Sequence, residues 1–213
     1  MAENRAVENK AVENKAAIVG VTGKCCAGKD AAVSYLSRSS WHTINVDHTG
    51  HRALQEERAA LEAAFGDAVF SPDGSVDRKA LGDIVFSDSR KMKTLEAIVH
   101  PRMREIVTQS ARYYSFRGKN VAINAALLFV MDLHRICDHV LVIKAPLGLR
   151  IKRARQRDGW TYTQILQRFW SQRRLFPNKK TKNVDMYSVW NSQNLKALHQ
   201  RVEEFLTMIE RQG

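Results

Sequence analysis

Nothing in the 213 residues approaches the ~18 to 20 consecutive apolar positions that a membrane-crossing helix needs. The opening MAENRAVENKAVENKA likewise lacks the apolar stretch of a secretory signal. The expectation is a cytoplasmic protein without a membrane partner. Cysteine is scarce. Cys25, Cys26 and Cys137 are too few for a disulfide framework, adjacent thiols rarely bridge, and no spacing resembles a zinc site, so reduced thiols are expected. Acid is also short: 22 Asp plus Glu stand against 34 Lys plus Arg, a formal charge of +12. Such a field favours polyanions, among them phosphorylated metabolites and nucleic acid. Residues 150–174 hold eight bases against one acid. They carry no aromatic stacking motif and no zinc finger, which weakens the reading of a basic nucleic-acid-binding module, and no nucleic-acid partner is expected.

What is present is enough for a full core. Hydrophobic residues make up 44% and charged residues 26%, and a chain of this length fits one domain, or one domain with an insertion. Residues 1–16 hold AVENK twice and almost nothing to bury, and read as a loose arm. The apolar run Ala17 to Thr22 leads into a glycine-containing turn and then a helical stretch from Ala31 to Leu36, giving strand, loop, helix. Further strands are expected at Thr43 to Val46, Val121 to Phe129, His139 to Ala145 and Val184 to Trp190, with helical patterns between them. That rhythm belongs to an α/β fold with a parallel sheet. About 70 helix-rich residues separate the second and third strands, too many for a minimal crossover, and read as an inserted helical subdomain in which Pro101 starts a new helix. Leu195, Leu198, Val202, Phe205 and Ile209 form a stripe of helical period that packs on the sheet.

The residues Gly23-Lys24-Cys25-Cys26-Ala27-Gly28-Lys29-Asp30 satisfy G-x-x-x-x-G-K and lack the usual final Ser or Thr. A glycine-bounded turn between strand and helix points successive amides inward. The helix N-terminus adds partial positive charge and Lys29 a full one, which suits a nucleoside triphosphate. Asp30 brings a carboxylate where the usual hydroxyl meets magnesium. Asn124, near the end of the third strand, stands where an Asp commonly holds the metal, so Asp30 and Asn124 are expected to share that task with the acid exchanged between them. Cys25 and Cys26 read as filler rather than redox groups. Asp47, ending the second strand, is either a base that orients an attacking hydroxyl or a helix N-cap. Arg150, Arg153 and Arg157 share one helical face and could close over phosphates. A run of bases is more commonly a solvated face, the reading given to Arg150, Lys152 and Arg155.

Taken together, these residues resemble the dephospho-coenzyme A kinase family over about residues 17–206. The family's loop usually reads TGGIGSGKST, here Thr22 to Ala31, and its second strand usually ends Asp-Ala-Asp, here Asn45-Val46-Asp47. Phe65-Gly66, Asp73-Gly74 followed by Arg78 and Leu81, Val85-Phe86, and Leu95-Glu96-x-Ile98-x-His100-Pro101 keep the family's order and spacing. So do Arg153, Arg157, Arg168, Gln172, Asp185 and Asn191. The family's Asp-x-Pro-Leu-Leu-Phe-Glu is changed at its Asp, Pro and Glu, which become Asn124, Ala126 and Val130.

The resemblance implies a phosphate-loop fold of three layers with a five-stranded parallel sheet. It implies a nucleotide-binding core over 17–47, 119–146 and 183–213, a helical acceptor-binding insertion over 48–118 and an Arg-rich lid over 147–182. ATP and Mg2+ would serve as cofactors, and dephospho-coenzyme A would receive the γ-phosphoryl group on its 3′-hydroxyl. Asp47, Lys29 and Arg157 would be catalytic. The nucleotide would contact Gly23, Lys24, Cys25, Cys26, Ala27, Gly28, Lys29, Asp30, Ala31, Arg153 and Asn191, and the metal Asp30 and Asn124. The acceptor would meet His51, Arg78 and His100, the two histidines being core residues in the alternative reading. A monomer or weak homo-oligomer is expected. Another nucleotide or nucleoside kinase, or a nucleotide-binding relative with weakened turnover, are the competing readings.

Overall fold

The computed structural model describes residues 16–172, 175–176 and 184–211; the repeat in the N-terminal arm lies outside them. Five strands and eight helices are described: β1 Ile18–Gly23, α1 Lys29–Arg38, β2 His42–Asn45, α2 Val46–Glu56, α3 Arg58–Phe65, α4 Arg78–Phe86, α5 Ser89–Ser115, β3 Val121–Asn124, β4 His139–Lys144, α6 Leu147–Asp158, α7 Tyr162–Ser171, β5 Asp185–Trp190 and α8 Leu195–Glu210. None of the described helices is long and apolar enough to cross a membrane. The chain forms two compact units, one from the residues up to Ile44 together with those from Ser110 onward, the other Asn45–Gln109.

The first unit is built on a sheet of order β2-β3-β1-β4-β5, with β1 parallel to β3 and β4, and β4 parallel to β5. A strand covered on both faces reads as a continuous apolar run rather than an alternating one. All six residues of β1 are accordingly buried. On one face Ala32, Val33 and Leu36 of α1 cluster with Leu198, Val202, Phe205, Leu206 and Ile209 of α8 and with Val19, Val21, Leu141 and Ile143 of the sheet. The expected α8 stripe therefore holds except at Leu195, which opens the helix directly after its Asn194 cap and is exposed, while Leu206 joins the core. At Gly20 a Cβ would lie 2.8 Å from Leu128 Cδ2 and 3.0 Å from Cys137 Sγ, so glycine permits that close approach. Burial pushes the Cys137 thiol up to about 12.

Two expectations are corrected. The third strand ends at Asn124, not at Phe129. After Ala125 donates its N–H to the Val21 carbonyl, the chain coils, with Met131 N–H donating to the Leu127 carbonyl and Leu133 N–H to the Leu128 carbonyl. The run Leu127 to Val130 has strand composition, but its Leu127 and Leu128 carbonyls are taken by these local bonds; Leu128 is buried and Val130 exposed. Pro101 starts no helix and lies inside the 27-residue α5. Its missing N–H costs one helical hydrogen bond. Packing of Val99, Ile106 and neighbouring Leu95, Ile98 and Met103 in one apolar cluster holds the helix together.

In the second unit that cluster also contains Ala53, Leu61, Val69, Val76, Leu81 and Val85. The Ser-Pro-Asp-Gly turn is fixed by Asp73 Oδ1, which accepts from Ser75 N at 2.9 Å and Ser75 Oγ at 2.7 Å. Asp77 then caps α4, accepting from Lys79 N at 2.9 Å and Ala80 N at 3.0 Å.

In the first unit the chain leaves β1 for β2 and β3 on one flank, then crosses to β4 and β5 on the other. Such a change of direction opens a crevice at the carboxyl ends of the strands. Gly23, Asn124 and Lys144 end their strands at that edge. For the second unit, urea unfolding of Leu61→Ala should show a loss of about 2 to 5 kcal/mol and of Asp77→Ala about 1 kcal/mol; equal effects would mean that the apolar cluster does not dominate.

Candidate active site

The loop between β1 and α1 has its shape imposed from several sides. At Gly23 a Cβ would stand 2.6 Å from the Ile143 carbonyl oxygen, so only glycine lets β1 pass β4 there. Ala27 N–H donates to the Lys24 carbonyl at 3.0 Å. Cys26 and Gly28 both take the left-handed conformation, at φ 58 and φ 100. A turn of left-handed residues opening a helix is a geometry that can gather amides toward an anion, and the α1 N-terminus adds its partial charge. Cys26 stands where the resembling family has glycine, and a side chain at that φ costs about 1 to 2 kcal/mol. The thiols of Cys25 and Cys26 lie 3.5 Å apart.

Lys29 begins α1 with its ammonium donating to Asn124 Oδ1 and, at 3.1 Å, to Asp30 Oδ1. Asn124 Nδ2 donates to the same Asp30 oxygen at 3.1 Å. The two residues expected to share a metal are thus neighbours, joined through Lys29. Burial pushes the Asp30 carboxyl up, but Lys29, the hydrogen bonds from Asn124 and Lys29, and the charge of Arg157 outweigh it and hold the group below its ordinary 3.8. Arg157 Nη1 lies 4.0 Å from Asp30 Oδ2. Ala31 is half-buried at the edge of the α1–α8 core.

The Arg face of α6 divides by function. Arg153 reaches the carbonyls of Cys26 at 3.4 Å and Ala27 at 3.3 Å and binds Asn191 Oδ1 at 3.1 Å. Asn191 Nδ2 in turn donates to the Ala27 carbonyl at 2.9 Å. Arg150, read from sequence as part of a solvated face, is instead buried, with Nε donating to the Cys25 carbonyl at 2.8 Å. Its helical spacing puts it on the face of Arg153 and Arg157, and the fold brings the loop beneath that face. Gln172, beyond α7, accepts from Cys25 N at 2.6 Å. A cavity of about 420 Å³ opens beside these groups, lined by Lys24, Ala27, Lys144, Pro146, Arg150 and Trp190 among others.

The remaining expected residues belong to the second unit. Asp47 is exposed and is the second residue of α2; Asn45 caps that helix, accepting from Asp47 N at 3.0 Å. The N-cap reading of Asp47 is therefore wrong, because the helix starts one residue before it. His51, one helical turn further along, and Arg78, the first residue of α4, are exposed. His100 is half-buried on α5, and burial pulls its pKa down against the opposing charge of Glu96.

Residues 17–196 match the family model described as dephospho-CoA kinase. The chain belongs to that family. A dephospho-CoA kinase of Dehalococcoides mccartyi is 35% identical over 158 residues, covering 73% of this chain and 80% of its own. One from Geobacter sulfurreducens is 31% identical over 191 residues, covering 88% and 95%. Among solved structures, a Thermus thermophilus protein superposes with TM-score 0.73 at 26% identity, over 91% of this chain and 98% of its own. A dephospho-CoA kinase from Campylobacter jejuni shares the fold with TM-score 0.69 at 24% identity, over 91% and 97%. Against the family's usual loop, Cys26 and Asp30 are this member's two informative departures.

Cys26→Gly should raise stability to urea by about 1 kcal/mol by relieving the left-handed side chain. Gly28→Ala, whose Cβ would run into Asn191 Nδ2 at a positive φ, should lose nucleotide affinity by about tenfold or more in calorimetry. Because the folded Asp30 carboxyl sits below its ordinary 3.8, its contribution to stability is complete above about pH 5 and is lost as pH falls through the lowered value. Unfolding measured from pH 3 to 7 should show a shallower acid limb in Asp30→Asn; an unchanged limb would contradict the assignment.

Proposed function

We propose that this kinase moves the γ-phosphoryl group of ATP to the ribose 3′-hydroxyl of dephospho-CoA, closing the synthesis of coenzyme A. The observation that carries the reading is Lys29 at the start of α1, beneath a turn of left-handed residues, in a chain of this family. The loop amides and the α1 terminus receive the outer phosphates, and the Lys29 ammonium turns from Asp30 and Asn124 toward phosphoryl oxygens. Arg157 compensates charge as it shifts toward the leaving oxygen, while Arg153 and Asn191 keep the loop carbonyls turned away. Asp47 takes the proton of the 3′-hydroxyl as that oxygen bonds to the γ-phosphorus and the β–γ bridging oxygen departs with ADP. His51, Arg78 and His100 serve the acceptor.

Magnesium fits the residues present. Asp30 is held ionised and its Oδ1, like that of Asn124, converges on the Lys29 ammonium. A hard cation takes one or two protein oxygens and draws the rest of its shell from phosphates and water. Among the described residues no three His, Cys, Asp or Glu form a cluster, so a cation here depends on the nucleotide for most ligands. When bound, it neutralises charge on the β- and γ-oxygens. We read the protein as a cytoplasmic monomer or weak homo-oligomer acting on small molecules, without nucleic-acid or membrane partners.

The Lys29–Asp30 pair also supports the competing reading of a relative with weakened turnover, since the ammonium is already partly neutralised. Incubation with magnesium, ATP and dephospho-CoA separates the two. The proposed activity yields ADP and the 3′-phosphorylated product, with kcat/KM falling at least ~100-fold in Lys29→Ala and ~100-fold or more in Asp47→Asn. Tight ATP binding without product would favour the silent relative, and product undiminished in both variants would overturn the site.

A further inference from the structure

A trans peptide is planar, so its C=O and the N–H of the next residue point in opposite directions. Whatever holds the Cys25 carbonyl therefore also aims the Cys26 amide. That holder is Arg150, whose Nε donates to the Cys25 oxygen at 2.8 Å. The preceding peptide plane, Lys24–Cys25, is gripped at both ends: Cys25 N–H by Gln172 Oε1 at 2.6 Å, and the Lys24 carbonyl by Ala27 N–H at 3.0 Å. Arg150 is in turn fixed by the segment that carries Gln172, because its guanidinium lies 4.0 Å from the centre of the Phe169 ring on α7. The residue is only 7% exposed. A buried guanidinium on a backbone carbonyl, with an aromatic face at its back, has lost most of its conformational freedom and holds its partner firmly.

The loop needs such a grip. Cys26 adopts φ 58 with a side chain present, a conformation that persists only when its surroundings over-determine it.

We propose that Arg150 and Gln172 are positioning residues of the phosphate loop, setting the two peptide planes around Cys25 so that the Cys26 amide faces the nucleotide and loop shape follows the α6–α7 segment. This rests on the kinase reading above. Neither side chain touches reacting atoms in this role; both act through backbone. The effect is thus expected on ATP and not on the acceptor.

The full chain and its Arg150→Met, Arg150→Lys and Gln172→Met variants test the proposal. The readouts are calorimetric binding of a non-hydrolysable ATP analogue with magnesium, thermal unfolding, and KM for each substrate. Arg150→Met should weaken the analogue by about tenfold or more, as for loss of a charge-assisted bond, and Gln172→Met by about fivefold. KM for ATP should rise in step while KM for dephospho-CoA stays within about twofold of wild type. Arg150→Lys should recover part of the affinity, because an ammonium can donate to the same carbonyl but lacks the flat face that stacks on Phe169. Unchanged analogue affinity in Gln172→Met and Arg150→Lys together with wild-type-like Arg150→Met would overturn the proposal. So would equal rises in both KM values, or a fall in active fraction with both KM values intact. If Arg150→Met does not fold, Gln172→Met decides: a selective loss of ATP affinity supports the proposal and an unchanged affinity overturns it. Wild-type protein that binds the analogue but makes no product refutes the activity and leaves the binding arm decisive; wild-type protein that binds no analogue refutes both.

Discussion

An amide that faces a phosphate turns the carbonyl sharing its peptide plane to the other side, where a partner can hold it. This constraint governs the loop from Lys24 to Gly28. The carbonyls of Cys25, Cys26 and Ala27 are taken by Arg150, Arg153 and Asn191, residues from α6 and from the end of β5. Each holder depends on a long-range feature of the sheet, since β4 leads into α6 and β5 ends directly at Asn191. The shape of the loop is therefore a product of the parallel sheet as much as of the glycine-containing turn, and α6 is tied to the loop through its carbonyls.

The charge arrangement inside the concavity follows from the same economy. A lysine 12% exposed at its side chain would be costly to leave alone, and Asp30 and Asn124 share its ammonium. Replacing the usual hydroxyl by Asp30 and the usual strand-end acid by Asn124 keeps a single carboxylate beside Lys29.

The second unit has its own apolar cluster, its own capped helices and a turn fixed by Asp73, and it carries Asp47, His51, Arg78 and His100. Its long α5 also shows that burial along a face outweighs a single proline, because one lost hydrogen bond is small beside the packing of several apolar side chains.

Local chemistry made much of this protein legible from its residues alone. The α/β rhythm, the glycine-bounded loop after β1 and the amphipathic α8 all follow from periodicity, glycine placement and residue type, which act within a few positions of the chain. Three features did not. The end of β3 was hidden because an apolar run has the same composition whether it extends or coils, and only the surrounding sheet determines which backbone partners it meets. Pro101 misled because its local cost is real while the compensating cluster comes from residues up to some 50 positions away. Arg150 misled for the converse reason: a base on a helix face looks solvated until another segment covers it. Sequence by itself determined which groups this protein can offer to a phosphate; tertiary structure decided which of them are aimed at it, because the direction of a peptide plane or a guanidinium is set by partners more than a hundred residues distant.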